Sequence, residues 1–231
     1  MPRIARAVFA GVPHHITQRG NRREDVFFDR ADRQRYLELL HEYADKHGLE
    51  IIAYCLMTNH VHLVGIPRCK TTLADVSKAL HTRYAQHVNW THHLSGRLWQ
   101  GRFFSCPLDE SHCLAAVRYV ECNPVRVGLV EKAESYSWSS AASHVEHRIN
   151  PLLSDQWRKE TGIEDWSAWL REGVDEETIA RLRRSTKRGR PLGSELFIAQ
   201  LETMSRRILR ARRVGRPKKT VRETREIGER P

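Results

Sequence analysis

The sequence predicts an α+β fold. It has a four-stranded antiparallel sheet with helices on one face, an extra helix after the last strand, and a mainly helical, basic C-terminal extension. Two observations carry that prediction. Apolar runs of strand and helix period alternate in the order strand, helix, strand, strand, helix, strand. The charge is also segregated: residues 181–231 hold 17 Lys+Arg against 5 Asp+Glu, while the net charge of all 231 residues is +11, so the preceding chain is close to neutral.

Taken in order, Val12-Pro13-His14-His15-Ile16-Thr17-Gln18 reads as the first strand and enters a turn at Gly20-Asn21. From Asp32 to His47, Tyr36, Leu37, Leu40, Tyr43 and Ala44 fall at helical spacing, and Gly48 is placed to stop the helix. Leu49 to Leu56 is apolar and β-rich. After a break at Thr58-Asn59, the run His60 to Ile66 follows, so the two form a hairpin. Thr72 caps a helix to about His93 through Leu73, Val76, Leu80, Tyr84 and Val88. Leu98 to Pro107 reads as an aromatic-rich strand. Asp109 or Ser111 then opens a helix through Leu114, Val117 and Tyr119 that must stop by Pro124. This order is the ferredoxin-like plan.

The core domain is expected over residues 1–150, and residues 151–180, with Trp157, Trp166 and Trp169, as helices packing back on it. Residues 181–231 are the basic extension. A helix is expected from Asp175 to Arg184, and an amphipathic one from Ser194 to Arg210 with Phe197, Leu201, Met204 and Ile208 on one face. An apolar fraction of 40% fits a core domain with a partly solvated appendage. No run approaches the ~18–20 apolar residues of a membrane span, so a membrane partner is not expected. The start Met1-Pro2-Arg3-Ile4-Ala5-Arg6 lacks the apolar stretch of a secretory signal. Five cysteines with no Cys-x-x-Cys pair argue against a disulfide framework or a cysteine zinc site and suit a cytoplasmic chain.

A concentrated basic segment is the electrostatic footprint of a polyanion partner, because neutralised phosphates release their counterions. The bland alternative is a solvated tail. Nucleic acid is favoured by Lys187-Arg188-Gly189-Arg190-Pro191 and Gly215-Arg216-Pro217-Lys218-Lys219. These pieces resemble AT-hook elements, whose arginines enter the narrow minor groove. Lys187, Arg188, Arg190 and Arg216 are therefore expected DNA contacts.

Two short patterns carry chemistry. In His60-Val61-His62 the imidazoles project from one face of a strand and can chelate one divalent ion; on spacing alone, two exposed strand histidines are the safer reading. In Tyr119-Val120-Glu121-Cys122-Asn123-Pro124 the phenol and the amide are four residues apart, on one helical face. An Asn123 carbonyl there can complete a site begun by the histidines, and Tyr119 can equally be a core aromatic.

The patterns gain meaning together. Met57-Thr58-Asn59-His60-Val61-His62-Leu63-Val64, then Leu98-Trp99-Gln100-Gly101-Arg102-Phe103, then Tyr119-x-x-x-Asn123-Pro124-Val125-Arg126-x-Gly128-Leu129-Val130 closely resemble the single-tyrosine HUH transposases. Among them the similarity is to the REP-associated tyrosine transposases, linked to repeated extragenic palindromes. The opening His14-His15-Ile16-Thr17-Gln18-Arg19-Gly20-Asn21 also matches that family's first strand, and the resemblance covers roughly residues 1–145. It implies a divalent ion, Mg²⁺ or Mn²⁺, on His60, His62 and Asn123, with Tyr119 as nucleophile. Tyr119 would form a 5′-phosphotyrosine and release a 3′-hydroxyl, so that cleavage and rejoining need no ATP. Two imidazoles by themselves suit Mn²⁺ or Zn²⁺ better than Mg²⁺. A phenol, with an ordinary pKa near ~10, needs something to favour its anion.

The expected substrate is single-stranded or hairpin DNA at REP-like palindromes. Arg19, Arg22, Arg23 and Arg102 are expected on phosphates, and Trp99 or Phe103 as stacking platforms, with core packing the competing account for the two aromatics. The family implies a bacterial, nucleoid-associated protein, a monomer or a homodimer. The alternative is a non-catalytic DNA-binding regulator or architectural protein on the same fold. A zinc hydrolase ranks last, for want of a carboxylate at a telling spacing.

Overall fold

The computed structural model describes residues 6–210. Its sheet has the order β2-β3-β1-β4, from β1 (His14–Arg19), β2 (Leu49–Met57), β3 (His60–Pro67) and β4 (Phe104–Pro107). All neighbours are antiparallel. Placing β1 and β3 at the centre is the ferredoxin-like arrangement, so the expected fold class holds.

Helices α1 (Arg30–His47) and α2 (Thr72–Thr91) cover one face. Asp29 starts α1 by accepting from the Asp32 amide, and Gly48, at φ +70°, ends it in the left-handed region. Tyr36, Leu40, Tyr84 and Val88 pack there against Ile16, Leu63 and Leu56.

The opposite face is also covered. Helices α3 (Glu110–Glu121) and α4 (Asn123–Arg126) follow β4. After them come α5 (Ala141–Val145), α6 (Asp155–Glu160), α7 (Trp166–Arg171) and α8 (Glu176–Arg188). Val117, Val120, Trp166, Leu170, Ile179 and Leu182 share a second core with Cys55, Met57, Val64 and Cys106 of the sheet. A bulge in β2 serves this face: the pairing with β3 shifts between Ile51 and Ala53. Ile52 and Ala53 therefore both join the second core, and Cys55 and Met57 come to lie opposite His62 and His60.

Three expectations about elements are corrected. The fourth strand is shorter than Leu98–Pro107. Residues 98–103 run beside the end of β1 through single bonds (Asn21 N to Leu98 O, Gln100 N to Arg19 O), while Trp99 turns into the first core. The helix expected from Asp175 to Arg184 is α8, which continues to Arg188 before Gly189, at φ +66°, stops it. Helix α9 (Glu195–Ser205) ends before Arg210, because Arg206 adopts the left-handed conformation. Of the face expected on it, Leu201 and Phe197 pack against Ala7, Phe9 and Leu209, but Met204 and Ile208 are exposed.

The outer strands are covered as well. Leu153 and Ser139 bridge β2 at Ile51 and Cys55, and Leu192 bridges Leu108 just past β4. All five cysteines are free. Among the described residues no helix is long and apolar enough to cross a membrane.

Candidate active site

Sheet register builds the site. Across β1 and β3, Arg19 stands opposite His60, Thr17 opposite His62, and His15 opposite Val64. Directly opposed residues of an antiparallel pair share a face, so His15, His60 and His62 all point towards α3 and α8. The His60 and His62 rings lie 4.9 Å apart, and the Tyr119 ring of α3 stands edge-on to His62 at 5.5 Å and to His15 at 5.9 Å. Sequence-distant residues 60, 62 and 119 thus meet in one place. Asn123, four residues after Tyr119, opens α4 and is buried; its Oδ1 accepts from Arg126 Nη2 at 2.6 Å, while its Nδ2 meets no partner among the described residues. The Arg126 guanidinium also lies 5.4 Å from the centre of the Tyr119 ring.

The hydrogen bonds define which nitrogens are available. His60 Nδ1 donates to Asn59 Oδ1 at 2.6 Å, and the Asn59 amide is oriented by its own Nδ2 donating to Arg23 O. His62 Nδ1 pairs with His15 Nε2 at 2.9 Å. The Nε2 atoms of His60 and His62 bond to no other described residue. Burial pushes His60 down to about 4, with Arg19 and Arg126 adding to the effect, and drives His62 well below its ordinary value. Two neutral imidazoles with free Nε2 atoms are what a divalent cation requires of a His-x-His pair. The two imidazoles therefore fit a metal as a pair; Asn123 Oδ1, the third expected holder, is bonded to Arg126 in this structure.

On the far side of the phenol, Arg183 of α8 donates its Nε to Tyr119 Oη at 3.2 Å. Tyr119 is only 4% exposed, so α8 and α4 both shape access to it.

Residues 9–123 match the family model described as Transposase IS200 like. The chain belongs to the IS200-like transposase family. This transposase-family chain is also similar to the solved structure of a REP-associated tyrosine transposase bound to a REP hairpin. The TM-score is 0.51 and the identity 18%, over 67% of this chain and 92% of that one. A candidate transposase from Deinococcus radiodurans R1 aligns with TM-score 0.38 and 21% identity, over 52% of this chain and 96% of that one. No curated protein matches the chain significantly.

The expected DNA contacts of this family member fall in several places. Arg19 borders the histidines through its pairing with His60, and Arg22 and Arg23 are exposed in the following turn, with φ of +51° and +65°. Arg102 is exposed and lines a groove of about 650 Å³ with Lys78 and Arg97. Trp99 is no open stacking platform: it lies within 4.8 Å of the His81 ring, and its indole nitrogen donates to His81 O. Phe103 is buried as well, beneath the Arg6 guanidinium. Lys187 and Arg188 are exposed on the last turn of α8, whereas Arg190 is spent on the carbonyls of Leu209 and Arg210. Arg216 lies outside the described residues.

A separate group, Asp29, Asp32 and His92, has metal-ligand spacing. Its atoms are engaged otherwise: Asp29 and Asp32 accept backbone N–H groups at the start of α1, and Asp32 pairs with His92 at 3.0 Å. The sequence reading missed His15, Arg126, Thr186 and Arg183. His15 and Arg126 stood inside quoted motifs without a role. The two α8 residues were hidden because their segment reads as a basic tail.

Proposed function

We propose that this transposase-family chain is a metal-dependent single-strand DNA endonuclease and ligase. It cleaves and rejoins REP-like hairpin DNA through a 5′-phosphotyrosine on Tyr119. The observation that carries the reading is the Tyr119 ring 5.5 Å from His62, beside two imidazoles whose Nε2 atoms are free. A Mg²⁺ or Mn²⁺ ion held by His60, His62 and Asn123 would polarise the scissile phosphate and offset charge growing on its oxygens.

The chain's own residues do the rest. Tyr119 Oη loses its proton and bonds to phosphorus. The bond from phosphorus to the 3′-oxygen breaks, and that oxygen takes up a proton as a free hydroxyl. The cleaved bond's energy stays in the phosphotyrosine, so attack by a 3′-hydroxyl reverses the step without ATP. Arg183 sets a positive charge against Oη, where negative charge resides once the proton has gone. Arg19 and Arg126 add positive charge around the phosphate's seat; Arg126 either shares the Asn123 oxygen or yields it.

Hairpin DNA is the favoured substrate because the similar solved chain carries a REP hairpin and a phenol so enclosed needs a splayed backbone to reach. Incubation with a single-stranded REP-type hairpin and Mn²⁺ is expected to give an SDS-resistant protein–DNA adduct. The adduct should vanish in Tyr119→Phe and in EDTA, while hairpin binding by Tyr119→Phe stays within about threefold of the original. Binding without any adduct from the unaltered protein would leave the non-catalytic DNA regulator as the better reading.

A further inference from the structure

One histidine of the site has both ring nitrogens bonded to side chains other than the phenol and is not one of the expected metal holders, yet it bonds directly to one. His15 is buried on β1, and its ring is nearly coplanar with that of His62, at an interplanar angle of 7°. Its Nδ1 lies 2.8 Å from Thr186 Oγ1 in α8. The Thr186 hydroxyl spends its one proton on Leu182 O, at 2.8 Å, one turn earlier in the same helix. The hydroxyl oxygen is therefore an acceptor towards His15, and His15 Nδ1 carries the proton. With its proton on Nδ1, the imidazole presents a lone pair at Nε2, 2.9 Å from His62 Nδ1. That lone pair takes the proton of His62 Nδ1. The direction of the whole chain is fixed at its far end, by a helix carbonyl.

We infer that His15, anchored by Thr186, is a positioning residue that holds His62 in its Nδ1–H tautomer and dedicates His62 Nε2 to the cation. The inference rests on the metal-site reading above and adds to it. It gives α8, which lies beyond the family match at residues 9–123, a part in the centre itself. Asn59 does the same for His60 through a side-chain carbonyl, so both candidate ligands are oriented from their Nδ1 side.

The test uses the full chain labelled with ¹⁵N-histidine and the metal-free protein at neutral pH. Long-range ¹H–¹⁵N correlation is expected to show His62 protonated at Nδ1 and His15 at Nδ1. In Thr186→Val, which keeps the shape but removes the acceptor, both rings should become tautomer mixtures. Mn²⁺ affinity, read by electron paramagnetic resonance without DNA, should fall about tenfold. His15→Leu should weaken Mn²⁺ by about 10–100-fold, and His15→Gln, whose side-chain carbonyl can accept from His62, should recover most of it. Thr186→Val covers the case in which His15→Leu does not fold.

His62 protonated at Nε2 in the unaltered protein, or Mn²⁺ affinity unchanged in folded Thr186→Val, overturns the inference and leaves the transposase reading untouched. Failure of that reading looks different: Mn²⁺ bound with the expected tautomers, but no adduct on Tyr119.

Discussion

Glu121 shows how a charge next to the candidate nucleophile can belong wholly to the fold. It is completely buried at the end of α3, two residues after Tyr119, and its carboxylate accepts from Ser140, from His144 Nδ1 at 2.7 Å and from Trp166 Nε1 at 2.8 Å. These donors come from α5, α7 and the residue before α5, so one side chain ties the phenol's helix to the segments that follow. Removing one partner of such a cluster leaves the others buried and unpaired. Glu121→Leu is expected to cost about 3–5 kcal/mol of stability in a urea titration. A loss below about 1 kcal/mol would mean that the cluster is not what holds α3. Two residues apart on a helix, Glu121 and Tyr119 point to different faces, but that spacing does not reveal the carboxylate's partners.

Among the elements, α8 departs furthest from what its sequence suggests. Its arginines and lysine make it read as part of a DNA-binding tail. Every third or fourth position, however, supplies the second core: Ile179 and Leu182 are buried, and Thr186 reaches His15. A chain ending at residue 175 would lack α8, uncover the part of the second core it packs on and strip Arg183 from Tyr119. A chain ending at Arg210 would lose only residues 211–231, with eight Lys+Arg and three Glu. The longer truncation product is expected to keep its melting temperature and its adduct on short hairpins, with a shallower dependence of DNA affinity on salt. The shorter one should melt lower and bind less Mn²⁺. An unchanged salt slope in the longer product would remove the terminal segment as a DNA anchor. Strands β1 to β3 and helices α1 to α3 were legible because periodicity and punctuation agree there. The end of α9 was not, since apolar Met204 and Ile208 continue a helical pattern that the backbone abandons at Arg206.

The whole molecule stores several histidines in a neutral state, which sets its behaviour in acid. Burial lowers His14 to about 4 and His81 to about 3, both away from the candidate metal ligands. Below pH ~6.5 the unfolded chain binds protons that the native one refuses, so stability falls as pH falls until the native values are reached. Each such residue contributes roughly 1.4 kcal/mol per pH unit in that window. Urea titrations in EDTA are expected to show a markedly less stable protein at pH 5 than at pH 7.5, and His81→Gln to lessen the slope by about one proton. Constant stability over this range would mean that these rings are charged in the folded state.

The paired motifs gave the sequence its reading of the centre, since His60-Val61-His62 and Tyr119-x-x-x-Asn123 are short and local. The third imidazole was invisible for a geometric reason: His14 and His15 are neighbours that point through opposite faces, and only pairing with β3 tells which one meets His62.

The coverings on the sheet's margins have a consequence for assembly. Leu153 and Ser139 on one side and Leu192 on the other occupy backbone groups that a foreign strand would need. Addition of a foreign strand is thereby hindered along β2 and at the end of β4, as is the sticking together of bare borders that leads to aggregates.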